Sequence, residues 1–254
     1  FPFPGMLRPS SFPEYARRAC GLSRYRSLPE SKTMTARLYA AETPPSLQDL
    51  PASRWINELD DYTRERILKH RNPQDAATRL CTHRLLQYAL LDAYDLDAQT
   101  LRQVRTPAGK PVFAAPGAPH FSLSHSGAVA LCAVHNAPVG TDVERIRPVK
   151  QALAKRIMSG SEWAAFQRNK DHDGFFFRIW TLKESFLKQT GQGIATELRD
   201  LSFTLYGDVA TFNMPGYVFG LYTPADGYQA AVCLASDALP AEVVCLTWKE
   251  LDVF

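Results

Sequence analysis

The side chains with the types and spacing for cation-assisted chemistry lie between Gly140 and Lys188. The segment Gly140-Thr141-Asp142-Val143-Glu144 follows an apolar run from Val129 to Val139. Asp142 and Glu144 therefore fall at a strand end, where a spacing of two turns both carboxylates to one face. Farther on, Trp180, Glu184 and Lys188 recur at a spacing of four, which makes a slowly drifting helical stripe with an acid and a base one turn apart. Asp142, Glu144 and Glu184 offer only hard oxygen ligands, and no Cys or His stands close by, a set that suits magnesium over zinc. Taken alone, a D-x-E strand and a K-E helix read first as surface ion pairs of little worth.

The elements that must position these groups can be read in the flanking sequence. Asp173 is predicted to cap a helix whose Phe176, Phe177, Trp180, Leu182 and Leu187 are too apolar for a surface segment, with Gly191 as its stop. Pro148 is predicted to open a helix through Leu153, Ile157 and Met158, and Ser161-Glu162-Trp163 another. Residues 169–174 form a polar loop, in which His172 between Asp171 and Asp173 reads as solvated rather than as a metal cluster. Toward the N-terminus, a short strand spans Arg37 to Ala41. Ser53 is predicted to cap a helix through Trp55, Ile56, Leu59, Ile67 and Leu68, which Asn72-Pro73 breaks. A second helix from Asp75 to about Tyr94 carries Leu80, Cys81, Leu85, Tyr88 and Leu91 at helical spacing and leaves Arg79, His83 and Arg84 on a more polar side. Arg105 to Pro111 reads as a Gly-containing basic turn between a helix and a strand, and Phe121 to Gly127 as an alternating strand entering a turn. Strands over 201–205, 217–222, 229–234 and 243–248 complete the pattern. The stretch from Gly127 to Val134 is echoed by that from Gly227 to Leu234, a faint sign of two similar halves.

Bulk properties narrow the classes. At 254 residues and 45% apolar content the chain can build one large core or two smaller ones. A net charge of +3 suits an acidic ligand or partner but falls short of a nucleic-acid footprint. Cys20, Cys81, Cys132, Cys233 and Cys245 lack C-x-x-C spacing and mostly sit in apolar runs, so buried reduced thiols and a cytoplasmic location are expected. No apolar run approaches the roughly 18 residues of a membrane span, and no membrane association is expected. Residues 1–33 mix Pro2, Pro4, Pro9, Pro13 and Pro29 with five arginines and no periodicity. They are expected to be a disordered or non-native extension, with Met34 beginning the cleaner pattern.

The pair G-x-D-x-E and W-x-x-K-E-x-x-x-K, in that order, resembles the Sfp-type 4′-phosphopantetheinyl transferases. So do Arg105-Thr106-Pro107-Ala108-Gly109-Lys110-Pro111, like the family's R-x-x-x-G-K-P, and Phe121 to Ser126, like its F-N-x-S-H-S. The resemblance runs from about Trp55 to about Ala235. It implies an α+β fold built as a pseudo-dimer of two similar halves, 34–140 and 141–254, with the active site in the cleft between them. It also implies transfer of 4′-phosphopantetheine from coenzyme A to a serine of an apo acyl or peptidyl carrier protein, leaving 3′,5′-ADP. On that resemblance Asp142, Glu144 and Glu184 hold Mg2+, with Mn2+ as an alternative. Glu184 is the base, directly or through a water, and Lys188 holds phosphate charge. Arg66, Arg105, Gly109, Lys110, Pro111, Ser124, His125 and Lys188 meet coenzyme A. One departure from the family is His83, where members often have glycine before the arginine matching Arg84. A monomer docking an acidic carrier near Ile157, Met158 and Phe166 is expected. Two rival functions are a magnesium-dependent phosphodiesterase or nuclease, for which clustered acids followed by a lysine also serve, and a non-catalytic coenzyme A-binding module.

Overall fold

A computed structural model describes residues 35–193, 197–235 and 238–252; the extension expected over 1–33 lies outside these, as does Cys20. In chain order the elements are β1 (Arg37–Glu42), α1 (Ala52–Asn57), α2 (Asp61–Leu68), α3 (Pro73–Tyr94), β2 (Gln103–Arg105), β3 (Pro111–Phe113), β4 (His120–Ser126), β5 (Val129–His135), β6 (Val139–Arg145), α4 (Gln151–Ile157), α5 (Gly160–Arg168), α6 (His172–Thr190), β7 (Phe203–Tyr206), β8 (Val209–Phe212), β9 (Val218–Tyr222), β10 (Tyr228–Leu234) and β11 (Val243–Thr247). The architecture is mixed α+β.

Two sheets carry the core. The first has the order β11-β1-β5-β4, antiparallel except for the parallel β1–β11 pair, and the second the order β6-β10-β9, antiparallel throughout. The last strand thus returns to the sheet that holds the first. Helix α3 packs against β5 and helix α6 against β10 and β6. The two echoed stretches correspond to β5 and β10, each next to an edge strand of its sheet and each following a glycine with positive φ. Leu80, Cys81, Leu85, Ala89 and Leu90 of α3 pack with Tyr39, Cys132 and Val134 in one cluster. Phe175, Phe176, Phe177, Ile179, Leu182 and Phe186 of α6 pack with Phe166, Phe203, Phe219 and Cys233 in another.

Local chemistry explains the helix ends. Asn72 accepts from the N–H groups of Gln74 and Asp75, Pro73 stands at the first turn where no donor is needed, and Asp95 closes α3 in the left-handed region at φ 53°. Ser159 and Glu162 form a reciprocal capping box at α5. Gly191, at φ 70°, ends α6.

Several expectations are corrected. The single helix from Ser53 to Leu68 is two: Asp60 accepts from Thr63 N–H and starts α2 afresh. Pro51, without a side-chain cap bond, precedes α1. Asp171, not Asp173, caps α6 by accepting from Gly174 N–H; a Cβ at Gly174 would lie 2.1 Å from Asp171 Oδ2, so the carboxylate in this position sits over a residue without a side chain. Asp173 instead accepts from Val149 N–H, and His172 lies in the first turn, stacked on Phe166. Pro148 precedes α4 rather than opening it. Strands β2 and β8 had no expectation attached to them, and the basic turn Arg105 to Pro111 joins β2 to β3 rather than a helix to a strand. Ile157, Met158 and Phe166 are buried, so they cannot face a partner. Cys245 is exposed, whereas Cys81, Cys132 and Cys233 are buried, and all four are free thiols.

Candidate active site

The acids of β6 are held by a ladder of serines. Strands β4 and β6 are edge strands of different sheets, and alternate serines of β4 reach across. Ser122 Oγ accepts from Thr141 N–H at 3.0 Å, Ser124 Oγ from Val143 N–H at 3.3 Å and Ser126 Oγ from Arg145 N–H at 3.1 Å. Two of these hydroxyls then donate to the carboxylates: Ser124 to Asp142 Oδ1 at 2.7 Å and Ser126 to Glu144 Oε2 at 2.9 Å. A period of two puts every second residue on one face, so one repeating residue type both joins the sheets and orients the acids.

Glycine sets the distance to α6. A Cβ on Gly140 would stand 1.9 Å from Ser185 O and 2.4 Å from Gln189 N, so β6 can lie this close to the helix only without a side chain there. The close approach brings Lys188 to Asp142. Lys188 Nζ donates to Asp142 Oδ1 at 2.7 Å, to Ser124 Oγ at 2.9 Å and to Leu123 O at 3.4 Å.

Electrostatics follow from this crowding. Burial raises the Asp142 carboxyl above the usual carboxylate range in spite of Lys188 and Ser124. Burial also raises Glu184, and the neighbouring charge of Asp142 adds to it. Burial lowers His125, with Arg79 adding like-charge repulsion.

Two adjoining cavities meet at Lys188, Leu123 and Pro111. The first, about 370 Å3, is lined by Arg66, Arg105, Ser124, His125, Asp142 and Lys188 among others. The second, about 280 Å3, is lined by Gly109, Lys110, Phe121, Glu184, Leu187 and Lys188 among others. Glu144 lines neither; Arg147 Nη1 donates to it at 3.0 Å beside Ser126. The Lys110 ammonium donates to the main-chain carbonyls of Val139, Lys188 and Gln189, stapling the end of α6 to the start of β6, and burial lowers its pKa to about 8.

Helix α3 adds residues to the first cavity that the sequence had left in the background. Arg79, Thr82 and His83 occupy the i, i+3 and i+4 positions of one face, and Thr63 joins them from α2. The signal was the helical spacing of three polar residues beside a Leu-rich stripe. Arg79 Nε is buried without a hydrogen-bond partner. Arg84, by contrast, is structural: it donates to Leu251 O, Glu58 Oε2 and Gln87 Oε1 and lies over the Trp55 ring. Lys183 is structural too, buried against Glu162 Oε2 at 2.6 Å and the carbonyls of Ile157 and Leu198.

Among the described residues, no three His, Cys, Asp or Glu side chains converge on one point. The donor set nevertheless suits a hard divalent cation. Asp142 Oδ2 is buried with no hydrogen-bond partner, the charge of Glu144 adds to the cost of ionising Asp142, and the charges of Asp142 and Glu144 add to that of Glu184.

The sequence profile of the 4′-phosphopantetheinyl transferase superfamily matches residues 138–233, the span that holds β6 and α6. The 4′-phosphopantetheinyl transferase psf-1 of Bacillus pumilus is 31% identical over 226 residues, covering 85% of this chain and 97% of the relative. The chain belongs to the 4′-phosphopantetheinyl transferase family. Further family members agree: Sfp of Bacillus subtilis is 29% identical over 78% of this chain and 92% of its own length, and HetI of a Nostoc strain is 32% identical over 74% and 81%. Within the family the serine ladder, Gly140 and the Lys188–Asp142 contact are what hold the D-x-E strand against the K-E helix in this chain.

Proposed function

We propose that this chain transfers 4′-phosphopantetheine from coenzyme A to a serine hydroxyl of an apo acyl or peptidyl carrier protein, releasing 3′,5′-ADP. One observation carries this reading: a cavity walled by Arg66, Arg79, Arg105 and His125 joins, through Lys188, a cavity walled by Glu184. A polyanionic nucleotide suits the first chamber, and the acid at the second lies within one helical turn of the lysine shared by both. The two-half arrangement, with α3 on β5 and α6 on β10, supports a pseudo-dimer divided near residue 140, with β11 crossing back to the sheet of the first half and the substrate between the halves.

Asp142, Glu144 and Glu184 are the residues that would hold Mg2+. When bound, the cation neutralises pyrophosphate charge and supplies Lewis acidity at the phosphorus. The side chains of the chain do the rest. Lys188 places a positive charge beside the phosphates and remains there as charge develops on the departing 3′,5′-ADP. Glu184, whose carboxylate is desolvated, takes the proton of the carrier serine directly or through one water as the serine oxygen forms its bond to phosphorus and the phosphoanhydride oxygen leaves. Arg66 and Arg105 fix the nucleotide end, and His125 donates to phosphate oxygen. The buried thiols Cys81, Cys132 and Cys233 suit a reducing cytoplasm, and a mildly basic monomer suits an acidic carrier.

The test is the intact mass of an apo acyl carrier protein after incubation with the protein, coenzyme A and Mg2+. A gain of roughly 340 Da, abolished by a chelator, is expected. No gain on several carriers and no binding of coenzyme A would overturn the reading.

A further inference from the structure

Tyr62 lies on the exposed side of α2, with 53% of its surface open, yet two cations share its ring. The guanidinium carbon of Arg105 is 4.6 Å from the ring centroid and that of Arg66 5.6 Å. Arg66 comes one turn later on the same helix and also donates to Tyr62 Oη at 3.3 Å. Arg105 comes from the end of β2, where it is steadied by donating to Gly109 O at 2.9 Å. Both arginines line the basic cavity.

Two guanidinium groups repel each other, and in the described structure neither has a carboxylate partner at ion-pair distance. The π-face of one tyrosine attracts both and offsets part of that repulsion. The result is a pair of planar donor forks brought together from separate elements at the edge of one cavity, a set suited to a terminal phosphate dianion, which can accept from two forks at once. The crowding of cations extends to Arg79, whose pKa burial lowers and Arg66 lowers further. Asp75 opposes that effect at Arg79, and Asp60 faces Arg105 and His83.

We propose that Tyr62 is a positioning residue that sets preference for coenzyme A over 3′-dephospho-coenzyme A, by holding Arg66 and Arg105 together on the 3′-phosphate. The inference rests on the transfer reading above. The test is the pair of dissociation constants for coenzyme A and dephospho-coenzyme A, by calorimetry, for the intact chain and for Tyr62→Ala and Tyr62→Phe. Circular dichroism checks that each variant is folded. The intact chain is expected to prefer coenzyme A, Tyr62→Ala to narrow that preference about tenfold, and Tyr62→Phe, which keeps the ring, to retain most of it. An unchanged preference in Tyr62→Ala would overturn the inference, as would an intact chain that binds both ligands equally; the transfer reading would survive either. An intact chain that binds neither ligand would overturn the transfer reading itself, and this inference with it.

Discussion

Lys188 Nζ lies 2.7 Å from Asp142 Oδ1, and the same carboxylate oxygen accepts from Ser124 Oγ at 2.7 Å. The contact joins the D-x-E strand to the K-E helix packed on it, beside the seam where Ser124 of β4 reaches the same carboxylate. Asp142 is almost wholly buried and Lys188 largely so, which makes removal of either charge costly for the one left behind.

Substituting Lys188→Ala is therefore expected to lower both activity and stability. Transfer should fall by at least about a hundredfold, because a cation aimed at developing phosphate charge is lost. Stability should fall by about 2–3 kcal/mol, since Asp142 keeps its desolvation cost without its counter-charge. Carrier mass shift and urea unfolding measure the two effects, and unchanged stability would show that the pair is not held as described.

The Glu162–Lys183 pair makes a second prediction, this time about folding alone. Glu162 Oε1 accepts from Phe203 N–H and Oε2 from Ser159 N–H and Lys183, so one carboxylate ties α5, α6 and β7 together. Glu162→Ala should destabilise by about 3–5 kcal/mol, and Lys183→Met placed on top should recover part of it by removing the orphaned charge. Urea denaturation of the single and double variants decides this.

Gly140→Ala is expected to cost about 3 kcal/mol or more, because β6 and α6 must separate to admit the methyl group. Loss of transfer should accompany it even in molecules that remain folded, since the Lys188–Asp142 distance depends on that approach. A melting curve beside the activity assay separates the effects.

Acid should weaken the fold through two histidines. Burial is the main cause that lowers His83 and His120 to about 4, from an ordinary 6.5. Between those values the unfolded chain binds protons that the folded chain refuses, so stability is retained above pH 6.5 and declines as pH falls toward 4. His120→Gln should flatten the decline between pH 7 and pH 5 in urea titrations. An unaltered slope would mean that His120 already takes up its proton in the folded state.

Much of the site was legible because its chemistry depends on spacing within single elements. The D-x-E step on a strand and the E-x-x-x-K step on a helix place their groups by local periodicity, and Gly191 marked the end of α6 correctly. Relations between elements were not legible. The sequence held no sign that Lys110 would turn inward to three carbonyls, or that Asp171 rather than Asp173 would cap α6, since both acids precede the apolar run by similar steps. Apolar Ile157, Met158 and Phe166 looked like docking candidates, but they are core of the aromatic cluster around α6. Tyr62 carried no signal at all, because its role comes from an arginine 43 positions away in sequence.

The ladder of Ser122, Ser124 and Ser126 has a consequence for how this site can change over time. A main-chain ladder fixes the gap between strands at a value no substitution can adjust. Here the gap between β4 and the acid-bearing β6 is written in side chains. A longer or shorter polar residue on β4 would shift the carboxylates of β6 one rung at a time, against the apolar cluster of Leu38, Val129, Leu131, Val143, Ala230 and Val232 that fills the space between the sheets. The seam is a joint set by polar side chains at its edge and braced by apolar packing behind it.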